Sequence, residues 1–235
     1  MSRIHDMGGR FGDGPVMPDF GHEAVFKKKW HARALAVTVA SGFLGQWNLD
    51  ESRHSRENLS PTDYSKFSYY EKWISALADM LVAKGLVSVE ELQSLQGERG
   101  LDSLCERVLR AEKVASGLSK GGPTLRYTSI TQLYMTGDPV KTRLAENRSL
   151  SGGHTRLPNY ASQKVGTIVG SHGSHIFPDA HAHGAGEAPE PLYTVAFKAS
   201  TLWEHPENPS DLVMLDLWQS YLEPVSYTHL RAHET

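Results

Sequence analysis

The spacing of apolar residues changes once along the chain, and this change restricts the folds open to it. Before about residue 120, apolar side chains recur at helical spacing, most clearly at Tyr70, Ile74, Leu77 and Leu81. After it, short runs rich in β-branched and aromatic residues alternate with glycine- and proline-rich segments. These runs are KVGTIVG (164–170), LYTVAF (192–197), LVMLDLW (212–218) and YLEP (221–224). The sequence therefore predicts an α+β protein: a helical N-terminal half, then a small C-terminal β-barrel.

Helix start signals divide the first half further. Asn48 followed by Glu51, and Ser88 followed by Glu91, have the spacing of a capping box. SPTD (60–63) places a capping serine before a proline, with an aspartate in the first turn. Each signal predicts a helix, and a further helix is expected from about residue 22 to Gly42.

Composition shifts suggest the domain boundaries. Glycines and prolines in residues 1–21 predict an extended arm, so residues 1–120 are interpreted as the arm with the helical domain. Residues 121–136 are expected to form a linker and residues 137–224 the barrel. Residues 225–235 leave the strand pattern; they are an ordinary tail or a cloning scar, and no function is assigned to them.

Charge and cysteine content exclude several classes of protein. The formal net charge of −3 argues against binding to a nucleic-acid backbone. Cys105 is the one cysteine, so this chain forms no internal disulfide and no site with several thiolates. The most apolar run, residues 34–45, is too short to cross a bilayer. We expect a soluble, cytoplasmic protein without a membrane or nucleic-acid partner.

HGSHIFPDAHAHGAGE (172–187) is the most obvious candidate metal site, because histidine and carboxylate are common metal ligands. His181 and His183 would share one face of a strand, whereas His172 and His175 would not. Pro178 interrupts any regular element between the two pairs. A polar loop between barrel strands is the simpler interpretation, and a metal-dependent hydrolase using these histidines remains an alternative.

Two arginines and one aromatic stretch are further candidates. Arg53 in LDESRHS and Arg156 in GGHTRLPNY carry planar, permanently charged donors that suit an oxyanion. On residue chemistry alone, surface arginines are the simpler interpretation. FSYYEKW (67–73) favours core or interface packing over a pocket wall. The sequence contains no P-loop and no GxGxxG fingerprint.

An ordered set of segments resembles the β subunit of nitrile hydratase. In the first half the segments are IHDMGGRFGDGPV, NLDESRHSREN, YYEKW and LVAKGLVSVEEL. In the second half they are GHTRLPNYASQKVGTIV, PDAHAHGAGEAPEPLYTVAF, LW at 202–203 and DLWQSYLEP. Together they run from about residue 3 to 224, with a weak match at about 96–136.

The resemblance implies a function that composition does not reveal. Nitrile hydratase adds water to a nitrile and forms an amide, at a cobalt(III) or iron(III) held by cysteines of a separate α subunit. It also implies an SH3-like form for the C-terminal barrel. Arg53 and Arg156 match the two family arginines that hydrogen-bond the oxidised cysteines of the α subunit. Leu49 and Tyr69 match positions that line the substrate pocket.

Departures from the family pattern concern the pocket. Ser52 stands where phenylalanine is common, so it is included among the substrate-binding residues and is expected to widen or polarise the pocket. Lys72 replaces a frequent histidine. HGAGEAPEPLY resembles the cobalt-type enzymes more than the iron-type ones.

Several alternatives remain open on the sequence. A thiocyanate hydrolase subunit is the runner-up enzyme, and an accessory protein that delivers metal to the α subunit is the non-catalytic alternative. For the main interpretation, the expected partners are the α subunit, as αβ or α2β2, a small nitrile and a metallation activator. The lyase activity then belongs to the assembly, and this chain holds no metal.

Overall fold

The computed structural model describes residues 4–6, 14, 17–18, 21, 24–97 and 102–225. The chain forms two compact units. We call Gly9–Gly122 the helical unit, and Met1–Gly8 with Pro123–Thr235 the sheet unit. The helical unit contains α1 (Lys29–Phe43), α2 (Leu49–Glu57), α3 (Pro61–Lys66), α4 (Tyr69–Ala83), α5 (Val89–Ser94) and α6 (Val114–Lys120), with 3-10 turns at Asp102–Arg107 and Ala111–Lys113.

The predicted helix starts are confirmed. Asn48 and Ser88 both form capping boxes with the glutamate three residues on. Ser60 accepts a hydrogen bond from the Asp63 amide, with Pro61 in the first turn. The helix expected from about residue 22 begins at Lys29 instead.

The apolar stripe lies on a helix of its own. α3 ends at Lys66, Phe67 has an extended backbone, and α4 begins with a third capping box, formed by Ser68 and Glu71. α4 packs against α1 and α2. Its buried residues are Ala76, Leu77 and Met80, while the stripe residue Ile74 is partly exposed. The buried face of α4 is therefore rotated from the predicted stripe.

The sheet unit is built on one antiparallel sheet. Its strands are β1 (Leu125–Arg126), β2 (Pro139–Thr142), β3 (Val165–His175), β4 (Glu190–Lys198), β5 (Leu212–Trp218) and β6 (Leu222–Pro224), and its short helices are α7 (Pro178–His181) and α8 (Ala199–Leu202). The strand order is β5-β4-β3-β2-β6, and β1 pairs with β3. The four strand runs predicted from the sequence became β3, β4, β5 and β6.

Side chains alternate between the two faces of each strand, and those on one face of β4 lie in the core of the sheet unit. Tyr193, Val195 and Phe197 of β4 are fully buried on one face. Gly166 of β3 faces this row: a Cβ atom there would lie 2.7 Å from Val195 Cγ1 and 2.8 Å from Phe197 Cε1. Glycine at 166 therefore allows β3 to lie close to β4.

The sheet differs from the expected barrel. In the described pairings it is open, because β5 and β6 lie at opposite ends of the strand order. β2 was missed: its short sequence PVKT has little apolar character, yet Val140 and Thr142 are fully buried. No helix in residues 24–97 or 102–225 has the length and apolar character that crossing a membrane requires.

Most of the predicted arm and nearly all of the tail lie outside the described residues. Ile4–Asp6 is described and forms a 3-10 turn. The Asp6 carboxylate accepts a hydrogen bond from the Asn159 amide at 2.8 Å, which ties this turn to the sheet unit.

Candidate functional site

The start of α2 sets the direction of several candidate side chains. Asn48 Oδ1 accepts hydrogen bonds from the amides of Asp50 and Glu51, both at 2.9 Å. Glu51 Oε2 accepts one from the Asn48 amide at 2.8 Å. This reciprocal cap satisfies amides that no helical carbonyl can reach, and it starts the helix at Leu49.

We expect Asn48→Ala to lower the free energy of unfolding by about 1 kcal/mol, because the amides of the first turn lose their acceptor. Urea denaturation followed by circular dichroism measures the change. Asn58→Ala is the matched control, since Asn58 is the C-cap residue of the same helix. Equal stability losses in the two variants would contradict the capping role of the Asn48 side chain.

A cavity of about 500 Å³ opens beside α2 within the helical unit. Residues of α1, α2, α4 and the C-terminal end of α6 line it. Leu49 and Ser52, two of the predicted substrate-binding residues, both lie on its wall. Trp73 lines it as well, although its segment was expected to pack in a core or an interface.

Arg53, the first predicted catalytic residue, is held by its own helix. Its Nη1 atom donates a hydrogen bond to Asp50 Oδ1 at 2.8 Å. The Asp50 side chain is 8% exposed and that of Arg53 is 35% exposed, so a buried carboxylate orients a partly exposed guanidinium. One carboxylate oxygen engages one nitrogen, and the guanidinium has other N–H donors for a second acceptor.

Arg56 also lines the cavity, although it was not among the predicted site residues. Its Nη1 atom donates to Ser52 Oγ at 3.1 Å, and its guanidinium lies 4.8 Å from the centre of the Trp73 ring. Desolvation lowers the pKa of this guanidinium, and Arg53 adds to the effect. The sequence offers one signal for it: Arg53 and Arg56 are three residues apart, a spacing that places both on one face of a helix.

Tyr69, the third predicted pocket residue, begins α4 and is 63% exposed. Its ring packs edge-on against Tyr70 at 5.1 Å and lies 5.5 Å from Trp73. It is not among the described residues that line the cavity. Lys72, the other departure in this segment, lies 3.8 Å from the centre of the Tyr64 ring.

Arg156, the second predicted catalytic residue, belongs to the sheet unit, in an exposed position after a buried loop. The backbone N–H of Arg156 donates to Tyr221 Oη at 3.0 Å. The Tyr221 hydroxyl in turn donates to the buried carboxylate of Asp179. Burial, and then the charge of Asp179, raise the pKa of Tyr221 well above its usual range, so this hydroxyl stays a donor.

Hydrogen bonds also fix the backbone of the residues before Arg156. The fully buried His154 donates its amide hydrogen to His183 Nε2 at 2.9 Å. The Asn147 side-chain amide donates to the carbonyls of His154, at 2.7 Å, and Asp179, at 3.0 Å. These bonds fix the loop backbone, while the Arg156 side chain remains exposed.

One histidine of the histidine-rich stretch, His183, supports this loop. His172 and His175 belong to β3, and His181 ends α7, so a loop was wrong for these two parts. His172 Nε2 lies 2.6 Å from Thr194 Oγ1, and His175 Nδ1 lies 2.9 Å from Thr124 Oγ1. His183, as above, accepts from the amide of His154. The partners of these three histidines are therefore at separate places in the sheet unit.

The chain is similar to known proteins along nearly its whole length. Residues 1–115 match the family described as nitrile hydratase beta subunit, N-terminal, and residues 123–224 match its C-terminal counterpart. The low-molecular weight cobalt-containing nitrile hydratase subunit beta of Rhodococcus rhodochrous is 33% identical, covering 95% of this chain and 100% of that protein. The nitrile hydratase subunit beta of Pseudomonas putida is 35% identical, with the same coverage.

Two further relatives complete the comparison. The cobalt-containing nitrile hydratase subunit beta of Pseudonocardia thermophila is 32% identical over 96% of this chain and 97% of that protein. Among solved structures, the recombinant apo-enzyme of thiocyanate hydrolase from Thiobacillus thioparus has a TM-score of 0.35 and 20% identity, covering 50% of this chain and 98% of that one.

The fold and the candidate residues define a two-unit α+β protein with a cavity beside a capped helix and an exposed arginine after a buried polar loop. Its single cysteine rules out a metal site with several thiolates on this chain. The chain belongs to the nitrile hydratase β-subunit family.

Proposed function

We propose that this chain, together with a separate α subunit, forms an enzyme that hydrates nitriles to amides. The observation that carries the proposal is the family match over both halves, 1–115 and 123–224. The cavity of about 500 Å³ supports the same function, because it offers a largely apolar space for a small organic substrate. Leu49 and Ser52 lie on its wall.

The metal in this proposal is cobalt(III), or iron(III), and the α subunit holds it. Two relatives are named cobalt-containing, which favours cobalt. Cys105 is exposed and is the one cysteine, so the residues of this chain do not fit a thiolate-bound metal. The bound metal supplies Lewis acidity to the hydration.

Arg53 and Arg156 carry the catalytic role assigned to this chain. They would donate hydrogen bonds to the oxidised, anionic cysteine oxygens of the α subunit, which need charged donors once an interface has removed their water. Support for Arg53 comes from its orientation by Asp50. Support for Arg156 comes from hydrogen bonds that fix the backbone at His154 and Arg156, while the Arg156 side chain is exposed.

Leu49, Ser52 and Tyr69 form the substrate-binding set in this proposal. Leu49 supplies apolar surface, Ser52 adds a hydroxyl where the family commonly has phenylalanine, and Tyr69 presents an exposed phenol near Trp73. Without the phenylalanine ring, we expect the cavity to accept bulkier nitriles.

The finer features of the assembly are part of the same proposal. We favour an SH3-like arrangement for residues 137–224, and the order β5-β4-β3-β2-β6 with a 3-10 turn at Gln219–Tyr221 before β6 is compatible with it. The domain division at residues 120 and 136, αβ or α2β2 assembly, a metallation activator and a cytoplasmic location remain predictions.

Coexpression with an α chain that carries a C-x-x-C-S-C segment tests the function. We expect the two chains to copurify, to contain cobalt or iron, and to convert nitriles to amides with a rate that disappears when the metal is omitted during expression. Thiocyanate offered to the same complex tests the runner-up activity. Copurification failure, or a metal-loaded complex without amide formation, would refute the proposal.

A further inference from the structure

Arg56 has unused hydrogen-bonding capacity inside the cavity. A guanidinium carries five N–H donors, and the described residues provide one acceptor, Ser52 Oγ at 3.1 Å. The flat face lies 4.8 Å from the centre of the Trp73 ring, which holds the group against the wall. The remaining donors of Arg56 are available to a ligand in the cavity.

The charge of Arg56 is also not paired. No carboxylate among residues 24–97 and 102–225 forms an ion pair with it, although Arg53, on the same helix, is paired with Asp50. The charge of Arg53 lowers the pKa of Arg56, and the charge of Glu57 raises it by a smaller amount. Desolvation is the largest cause of its lowered pKa, yet an arginine stays protonated at neutral pH. The cavity wall therefore carries a partly desolvated cation.

We propose that Arg56 determines substrate specificity, by binding a carboxylate group at the end of the substrate remote from the nitrile. The inference rests on the proposed nitrile hydration and names its substrate class: aromatic or extended nitriles that carry a carboxylate. A carboxylate matches the planar fork of a guanidinium, and such charged pairs are stronger than bonds between neutral groups. The ligand would supply the counter-charge that the described residues lack.

The dimensions and lining of the cavity agree with this class. A volume of about 500 Å³ lies within the range of sites that enclose whole organic ligands, and it is larger than a two- or three-carbon nitrile requires. Trp73, Phe43 and Leu118 supply apolar wall for an aromatic ring, while Ser52 and Arg56 supply the polar end. Ser52 orients the guanidinium, which a phenylalanine at this position could not do.

Matched substrates test the proposal in the coexpressed, metal-loaded complex. 4-Cyanobenzoate and 4-cyanobenzamide have nearly the same shape and differ in charge. We expect Arg56→Gln to lower kcat/KM for 4-cyanobenzoate about 10- to 100-fold, mainly through KM, and to change kcat/KM for 4-cyanobenzamide less than about threefold. Arg33→Gln is the control, because Arg33 is exposed on α1 and does not line the cavity.

The outcomes separate this inference from the proposed function. Turnover of 4-cyanobenzamide with no effect of Arg56→Gln on 4-cyanobenzoate would overturn the specificity role and leave nitrile hydration standing. A metal-loaded complex that hydrates a small neutral nitrile but neither of these compounds would overturn the substrate class alone, and one that hydrates none of the three would refute nitrile hydration. Calorimetry of the same complex with benzoate and benzamide tests carboxylate binding without turnover. Tighter binding of benzoate, with the difference abolished in Arg56→Gln, would support the role of Arg56. Equal binding of the two compounds would overturn it.

Discussion

Replacing Arg156 by lysine is expected to lower kcat of the αβ complex about 100- to 1,000-fold, with little change in stability. In other enzymes, removing one hydrogen-bond donor to a reacting oxyanion lowers kcat by about this factor. Lysine keeps the positive charge and loses the planar fork, so the loss would report hydrogen-bond geometry. The Arg156 side chain is exposed and its anchor is a backbone N–H, so the substitution leaves the buried loop intact.

Arg53→Lys is expected to act in the same direction for the same reason. Its one described side-chain partner is Asp50, which a lysine can also pair with, so the free energy of unfolding should change by less than about 1 kcal/mol. Steady-state kinetics with a neutral nitrile, together with thermal unfolding of each complex, separates the two effects.

Exposed arginines elsewhere provide the controls. Arg33→Lys in the helical unit and Arg148→Lys in the sheet unit change the same chemical group at exposed positions. We expect both complexes to retain full kcat. Full activity in Arg53→Lys and Arg156→Lys, in complexes that have assembled and bound metal, would remove the catalytic assignment of both arginines.

Tyr221→Phe is expected to lower the free energy of unfolding by about 1 to 3 kcal/mol, because it removes one hydroxyl from a buried network. That hydroxyl accepts from the Arg156 N–H and donates to the Asp179 carboxylate. The phenyl ring still fills the space, so the loss measures the hydrogen bonds and not a cavity. Denaturant titration of the full chain measures this loss.

A positioning role for Tyr221 requires a second readout. At a temperature where the complex remains folded, we expect kcat to fall about tenfold with KM nearly unchanged, since the backbone of Arg156 has lost its anchor. Tyr127→Phe is the control, because Tyr127 is in the same unit and is 93% exposed. A stability loss without any change in kcat would make Tyr221 a structural residue alone.

The sequence predicted correctly those features that depend on residues close together in the chain. Asn48 and Glu51 are three residues apart, and the cap that they form depends on only the first turn of the helix. The short apolar run at 212–218 matches β5, because the length and composition of the run itself favour a strand. The family, too, could be identified from ordered segments of sequence before any contact was known.

The rest depended on residues that are distant in sequence. β2 was missed because its burial comes from β3 and β6 on either side, and nothing in PVKT itself indicates it. The histidine-rich stretch was predicted to be a loop, yet His183 supports the backbone of His154, 29 residues earlier. Such pairings cannot be derived from spacing, because the intervening chain decides which groups meet.

The division into a helical half and a strand half, the helix caps and the family all follow from the sequence, since each depends on periodicity, capping residues or ordered motifs along the chain. The grouping of Leu49, Ser52, Arg56 and Trp73 around one cavity depends on the packing of the helices and is seen only in the structure. Trp73 comes from α4 and the other three from α2, and the packing of these helices fixes which faces meet. The same packing places the partly desolvated guanidinium of Arg56 in the cavity wall.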